Sequence, residues 1–471
     1  MSSRPLLLLL AAAAAFPLAA FEIAPRIVPV GREVTVEIRA VNDEEKTAIA
    51  GSPLYRLSDQ GTWSDGSNPR SAEKDDWRLQ WEPVKEAQRG DGVLRCRAKF
   101  PSEGEQIFRF GTLNGKSVFV KGYRDVTVYA LRDDLYALRP FKGDIHMHSI
   151  RCGHAKLEPK VIPAHSRRVG LDFMGLSEHW QVAPSYEAIA AAKPWKCGME
   201  LYPAEEIHTP SALLHSVAIG HRESACVWRV NHMKEFAALV DEEMKNPIYR
   251  PYRLNAFELR QAAMTTLIYR KTREFGAKLI VYSHPSGYNR PNRQDDPSEN
   301  FRNFMFEKGD WDALELPNSA TTAYNPNTRR NDRLMLMNSF VMELIAKGRR
   351  PGIVAASDCH DQKAAFFGQV YTVIFAKACD IDSFVDAVKN HRSLGLQFPN
   401  TPRYICFGPS RLMKFQFFLE RYYWPGHDKL CKKQSELLFK LLDGDTSVQG
   451  EVEKLAAEID ACREKFYAPV K

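Results

Sequence analysis

The sequence has no Cys-x-x-Cys pair, and its nine cysteines are scattered from Cys96 to Cys462. An odd number at that spacing argues against a disulfide framework or a thiolate metal site, so most are read as buried free thiols. Runs of basic residues are also missing; none exceeds pairs such as Arg349-Arg350 and Lys432-Lys433. A nucleic-acid-binding tail is therefore not expected, although the net charge of +7 would favour anionic substrates. The apolar stretch Leu6–Phe16 is only eleven residues long, too short to span a bilayer. Neither a Gly-x-Ser-x-Gly elbow nor a Ser-His-Asp order points to serine hydrolysis. No glycine-rich phosphate loop suggests a nucleotide-driven transferase.

What is present is an ordinary globular composition over 471 residues, 44% hydrophobic and 26% charged, long enough for two to four domains. Residues 1–20 have one arginine, an apolar stretch and small residues at the end, which reads as a signal peptide. Export, for instance to a periplasm, is expected if it is cleaved, and a cytoplasmic location otherwise. Residues 21–138 alternate apolar and polar, as in Val34, Val36 and Ile38 or Leu94, Cys96 and Ala98. With turn residues between the strands and no convincing helix, this reads as an antiparallel, Ig-like β-sandwich with a long loop at 57–77.

From 139 to 405 the pattern changes to short apolar strands alternating with helices, among them 231–244, 257–275 and 331–347, the last capped by Gly348. Repeated βα units predict an α/β fold whose parallel sheet closes into a barrel. In 406–471, Leu430, Leu437, Leu438 and Leu441 share one helical face, and Val452, Leu455 and Ile459 another. This predicts a helical hairpin packed on the barrel or on a second subunit, in which case the chain would be a homo-oligomer.

Thirteen histidines are present, and eight of them stand at or just past successive predicted strand ends. The first end gives Asp144-Ile-His146-Met-His148, followed by His154. The next gives Ser177-Glu178-His179, and the third Pro203-Ala-Glu205-Glu206-Ile-His208, with His215 beyond it. Ser283-His284-Pro285, Glu315 and Ser357-Asp358-Cys359-His360 complete the series. Strand side chains alternate, so His-x-His and Asp-x-His each direct two donors to one side. Barrel strand ends converge on one rim, where such enzymes place their chemistry. Imidazole and carboxylate donors without thiolate suit zinc, manganese or iron.

In these motifs, taken together and in this order, the chain resembles the polymerase-and-histidinol-phosphatase (PHP) superfamily over roughly 139–405. The resemblance implies a distorted (βα)7 barrel and two or three divalent metal ions. Its implied ligands are His146, His148, His154, His179, Glu206, His215, His284, Asp358 and His360, with Glu205 the alternative to Glu206. Ser177-Glu178 departs from the usual Thr-Asp, Ala204 from the usual Gly, and Gly153 from a frequent Asp, so the third metal rests on His154. Cys359 is read as a packing residue, and Cys152, in the loop near His154, as structural or accidental rather than a ligand.

The expected activity is a phosphatase or phosphodiesterase that uses a metal-bound hydroxide on a small phosphorylated substrate. In it Asp358, His284 and His208 would serve catalysis. Arg151, Arg290, Arg329 and the neighbouring Arg293 would grip phosphate bidentately. A carbamate or amide hydrolase with the same cluster, or a noncatalytic metal-containing binding module, are the alternatives.

Overall fold

The computed structural model describes residues 21–57, 81–114, 118–119, 122–208, 214–285, 298–318, 332–364, 367–397 and 404–467. The chain divides into two compact units, Met1–Tyr136 with Arg421–Tyr423 and Glu464–Lys471, and Ala137–Glu420 with Trp424–Arg463.

The first unit contains β1 (Phe21–Ala24), β2 (Ile27–Pro29), β3 (Glu33–Ala40), β4 (Leu54–Leu57), β5 (Trp81–Pro83), β6 (Ala87–Gly90), β7 (Val93–Lys99), β8 (Gly104–Phe110), β9 (Leu113–Asn114), β10 (Val118–Phe119) and β11 (Arg124–Leu131). One sheet runs β1-β3-β7-β6, another β2-β11-β8-β4-β5, and β9 pairs with β10 alone. Alternation explains their shared core. Val36, Ile38, Leu94 and Cys96 from the first sheet meet Phe108, Phe110, Val126 and Val128 from the second. The pairing of β2 with β11 is parallel. A helix at Asp43–Gly51 interrupts the expected all-β pattern. It is nucleated by Asn42, whose side chain accepts from the Glu45 amide at 2.9 Å, and by three acidic residues in its first turn. Most of the expected 57–77 loop lies outside the described residues.

The second unit is built on a ten-stranded sheet. Its strands are β12 (Arg139–Asp144), β13 (Phe173–His179), β14 (Glu200–His208), β15 (His215–Ile219), β16 (Leu279–Tyr282), β17 (Ala313–Asn318), β18 (Gly352–Ala356), β19 (Val370–Ala376), β20 (Ser393–Gln397) and β21 (Ile405–Phe407). They lie in the order β18-β17-β16-β15-β14-β13-β12-β19-β20-β21. The sheet is mixed, which differs from the all-parallel (βα)7 expectation. β12, β13 and β14 are parallel, and so are β16, β17 and β18, but β15 runs antiparallel between β14 and β16. β19 is likewise antiparallel to both β12 and β20. Too few residues separate the end of β14 from the start of β15 for the crossover that parallel neighbours need, which forces the first reversal. The sheet curls until its β18 edge meets β19 and β20 through hydroxyls. Thr372 Oγ1 bonds both N and O of Ala355 at 2.9 and 2.8 Å, and Ser393 Oγ donates to Ile353 O at 2.6 Å.

Inside the curl, Tyr202 and Ala204, Val217 and Ile219, Leu279 and Val281, Ala313, and Val354 and Ala356 fill one core. The same alternation carries Glu206 and His208, His215, Glu315 and Asp358 to the interior face at the strand ends. Apolar floor and polar rim are thus one periodic pattern.

The C-terminal part contains three helices, Ser410–Tyr422, Trp424–Leu442 and Gln449–Lys465, where a hairpin of two was expected. Leu438 and Val452 from the last two join the core formed with Ile162, Leu176 and Trp195. Their polar anchor is Asp172, just before β13. Asp172 Oδ1 lies 2.9 Å from His427 Nε2, 3.0 Å from Arg463 Nη2 and 3.6 Å from Arg167 Nη1. Its Oδ2 accepts from the Lys142 amide at 3.0 Å. Burial raises the Asp172 carboxyl, but His427 and the two guanidiniums hold it well below the usual carboxylate range. Asp172→Asn would leave buried cations without a counter-ion, so a loss of about 3–5 kcal/mol is expected in the urea unfolding of this unit. Loss within about 0.5 kcal/mol, the range of an ordinary surface substitution, would refute the anchoring role.

Candidate metal centre

The rim is assembled from short segments just beyond strand ends. β12 stops at Asp144 rather than running on to His148 as the sequence suggests. His146 and His148 follow in extended chain, fixed by a bridge between Met147 and Cys359 and by the His148 amide donating to Cys359 O at 2.9 Å. That pairing brings His146-x-His148 beside Asp358-x-His360. Asp144 supports the joint from below, accepting from the amides of His146 and Ser357 at 3.1 and 3.2 Å. Burial pushes its carboxyl up to about 7. His208 closes β14 and His215 opens β15 directly opposite, with rings stacked at 3.6 Å. The reversal of β15 is what returns His215 to the rim.

Glu206 is the hub. Its Oε1 lies 2.8 Å from His215 Nδ1, 3.2 Å from His284 Nε2 and 3.4 Å from His146 Nε2. Its Oε2 lies 2.6 Å from His179 Nδ1, 3.3 Å from His208 Nε2 and 3.4 Å from His148 Nε2. Asp358 Oδ1 stands 3.2 Å from His148 Nε2 and 3.6 Å from His146 Nε2. Behind this inner layer, Glu315 Oε2 is 2.9 Å from His146 Nδ1, and Glu178 Oε1 is 3.4 Å from His148 Nδ1. These outer carboxylates turn each Nε2 towards the centre, as partners of metal-binding histidines do. Glu205 faces the other way and bonds His221 Nε2 at 3.0 Å.

Donor atoms fall into five overlapping groups, each within 4.8 Å: His146, His148 and Glu206; His146, His284 and Asp358; Glu206, His215 and His284; His179, Glu206 and His208; and His148, Cys152, His179 and His360. His154 is in none of them. Its exposed ring stacks on His360 and His179 at 4.5 and 5.1 Å, with Nε2 3.4 Å from His179 Nε2. Arg151 sits on the same loop, ion-paired with Glu187 at 2.9 Å and Glu158 at 3.1 Å. Arg290, Arg293 and Arg329 lie outside the described residues.

The donors fit divalent ions. His146 Nε2, Glu206 Oε2 and His360 Nε2 are buried and make no hydrogen bond, although opposing donors crowd Glu206 Oε2. Lone pairs that converge without hydrogen-bond geometry suit a shared cation. The electrostatics agree. Burial disfavours charge throughout, yet Glu315, Glu206 and Asp358 raise His146 well above the ordinary imidazole value. Against the same burial, bonds to Asp358 and Glu178 carry His148 up to about 9. Asp358 lies well below the carboxylate range, because His146 and His148 outweigh its desolvation. A pocket with this much buried anion draws positive charge.

Three of the seven non-glycine residues with positive φ among those described, Trp180 (59°), His284 (27°) and Asp358 (51°), belong to the site. Such conformations are costly and gather where function over-determines the backbone. Trp180 was missed by sequence reasoning. Its backbone is pinned by its amide donating to Glu206 O at 3.1 Å and by Ser224 Oγ, 3.0 Å from Trp180 O. Its ring is 54% exposed and 5.0 Å from that of His208. The only available signal was position, one residue past the His179 strand end.

No protein-family model and no curated protein matches the chain. Solved structures resemble it in part. A two-domain protein from Bacteroides vulgatus containing a predicted PHP-like metal-dependent phosphoesterase is 16% identical, with a TM-score of 0.40, covering 60% of this chain and 71% of its own. A candidate metal-dependent phosphoesterase from Bifidobacterium adolescentis is 15% identical, with a TM-score of 0.32, covering 47% and 89%. A lesion-specific endonuclease from Pyrococcus furiosus is 14% identical, with a TM-score of 0.31, covering 53% and 56%.

Because Glu206 belongs to three of the five groups, Glu206→Gln is expected to remove more than one ion per chain, whereas His360→Ala removes no more than one. Elemental analysis of purified protein checks this. Equal losses in the two variants would show that Glu206 is not shared between ions.

Proposed function

We propose that the chain is a PHP-type metal-dependent hydrolase acting on phosphoesters of small molecules. The observation that carries the proposal is the convergence of buried imidazole and carboxylate donors on Glu206 and Asp358, with lone pairs aimed at a common centre. When bound, two or three divalent ions would supply Lewis-acid charge for water activation and for the oxygens of the ester.

The chain's own residues do the rest. Glu206 would be shared between ions, and Glu315 and Glu178 hold the tautomers of His146 and His148. His284, just past β16, meets Glu206 Oε1 at 3.2 Å. His208 is placed to hold or move a proton at Nε2, which lies 2.8 Å from His179 Nδ1. That position at the rim suits it to the departing alcohol. Arg151 could contribute to phosphate binding only by leaving Glu187 and Glu158, and Arg290 and Arg329 are the other proposed phosphate contacts. Trp180 offers a flat apolar face beside His208 for the substrate's organic group.

The direct test is nitrophenolate release from mono- and bis-nitrophenyl phosphate with added manganese. Wild-type protein is expected to turn over at least one ester, and Asp358→Ala to lose about 10²–10³-fold in kcat, as when one electrostatic stabiliser is removed. Silence on both esters, with hydrolysis of a carbamate or amide, would replace the phosphoester reading. Silence on all of them in metal-loaded protein would favour a binding module.

Trp180→Ala should raise KM for the aryl esters about two- to tenfold, matching the roughly 0.5–1.5 kcal/mol of an aromatic contact, with kcat little changed. An unchanged KM would remove Trp180 from the substrate path.

A further inference from the structure

The sulfur of Cys152 belongs to the fifth donor group, within 4.8 Å of donor atoms of His148, His179 and His360. Its spacing does not point there, since it has no cysteine partner and stands four residues past His148. The loop geometry brings it in. Ser149 caps a single 3-10 turn, Ile150–Cys152, and also binds Glu178 through its hydroxyl. Gly153 follows at φ 86°, a left-handed conformation that glycine adopts without cost. The loop is then fastened by the Ile150 amide to Leu157 O at 2.7 Å and the Lys156 amide to His360 O at 3.1 Å. Cys152 Sγ thereby comes within reach of His148, His179 and His360, and it accepts the Ala155 amide at 3.2 Å. His154 instead spends Nδ1 on Cys152 O at 3.2 Å and keeps an exposed ring.

Two further features suit this corner to an ion. His360 Nε2 is buried without a hydrogen bond. His148, fully buried, completes the group but also faces Glu206 and Asp358 through Nε2, so it can serve only one ion at a time. With His148 committed to the inner centre, His179 and His360 alone would leave an outer ion short of donors.

We propose that Cys152 is a thiolate ligand of the outermost ion, beside His179 and His360. This rests on the metal-centre reading above and assigns to Cys152 a place that the sequence motif alone would give to His154. On binding, the thiol proton passes to bulk water and the sulfur lone pair goes to the metal. A sulfur donor among imidazoles makes the outer position softer than the Glu206–Asp358 positions, favouring zinc or iron there over manganese. The centre would then be chemically graded, with a soft outer ion and harder inner ones.

The test is cobalt(II) titration of the metal-free full chain, followed by absorption. Wild type should show both visible d–d bands and a near-ultraviolet sulfur-to-cobalt charge-transfer band. Cys152→Ser should lose the near-ultraviolet band while keeping visible bands, and should retain one zinc fewer by elemental analysis. His154→Ala should keep the sulfur band. Visible bands without a sulfur band in wild type, or a sulfur band that survives in Cys152→Ser, would overturn the proposal. Absence of any cobalt band in wild type would instead overturn the metal centre itself. A measurement without a variant reads the same contact: zinc should protect Cys152 from iodoacetamide, followed by peptide mass spectrometry. Equal labelling with and without zinc would also overturn it.

Discussion

Buried negative charge is the constraint on which this structure depends. Glu206, Glu178 and Glu315 are each no more than 1% exposed, and Asp358 lies among them. Two like charges about 4 Å apart repel by about 4 kcal/mol even at an effective dielectric constant near 20. Such a set can be enclosed only if positive charge is enclosed with it. His146, His148 and His284, raised by the neighbouring carboxylates, answer part of that need, whereas burial lowers His179, His215 and His360 and leaves them to offer lone pairs. The rest of the sheet can be understood as the frame that holds these anions together. Its interior is apolar up to the level of Ala204, Val217 and Ala356, then becomes polar within one or two residues on each strand.

That sharp change explains the strained joints. A rim residue one or two positions past a strand end has left the ladder that would orient it, so its backbone must be held by other means. Asp358 and His284 adopt left-handed conformations, and the Met147–Cys359 bridge with the amide bonds to Asp144 supplies the missing fixation. The cost of these conformations, about 1–3 kcal/mol each, is carried by the packed sheet below.

Much of this was legible in the sequence, because strand alternation and strand-end position are local properties. His146, His148, His179, Glu206, His284, Asp358 and His360 could be placed on one rim without coordinates; alternation required that only one of Glu205 and Glu206 face it, and the motif favoured Glu206. What escaped depends on geometry that spacing does not encode. The direction of β15 is set by a connection whose length looks like any loop. The helix at 43–51 is a short insertion among strands, although its Asn-x-x-Glu start was a readable cap. The buried pairing of Asp172 with His427 and Arg463 joins residues more than 250 positions apart. Trp180 and Cys152 owe their positions to one left-handed residue each, Trp180 itself and Gly153.

The division of labour between Glu205 and Glu206 shows how closely binding and architecture are interlocked. Adjacent on β14, they point to opposite faces of one sheet. Glu206 gathers the imidazoles. Glu205 binds His221 and Ser224, and Ser224 in turn lies against the Trp180 carbonyl. Because the Trp180 amide donates to Glu206 O, the turn that displays the indole is held from both sides of the strand. Any shift of β14 along its neighbours would therefore move the hub carboxylate and the aromatic rim together, and a one-residue slip would exchange the two glutamates outright. Register on this strand is thus set by charge as well as by apolar alternation, since the pocket and the outer network each accept one carboxylate.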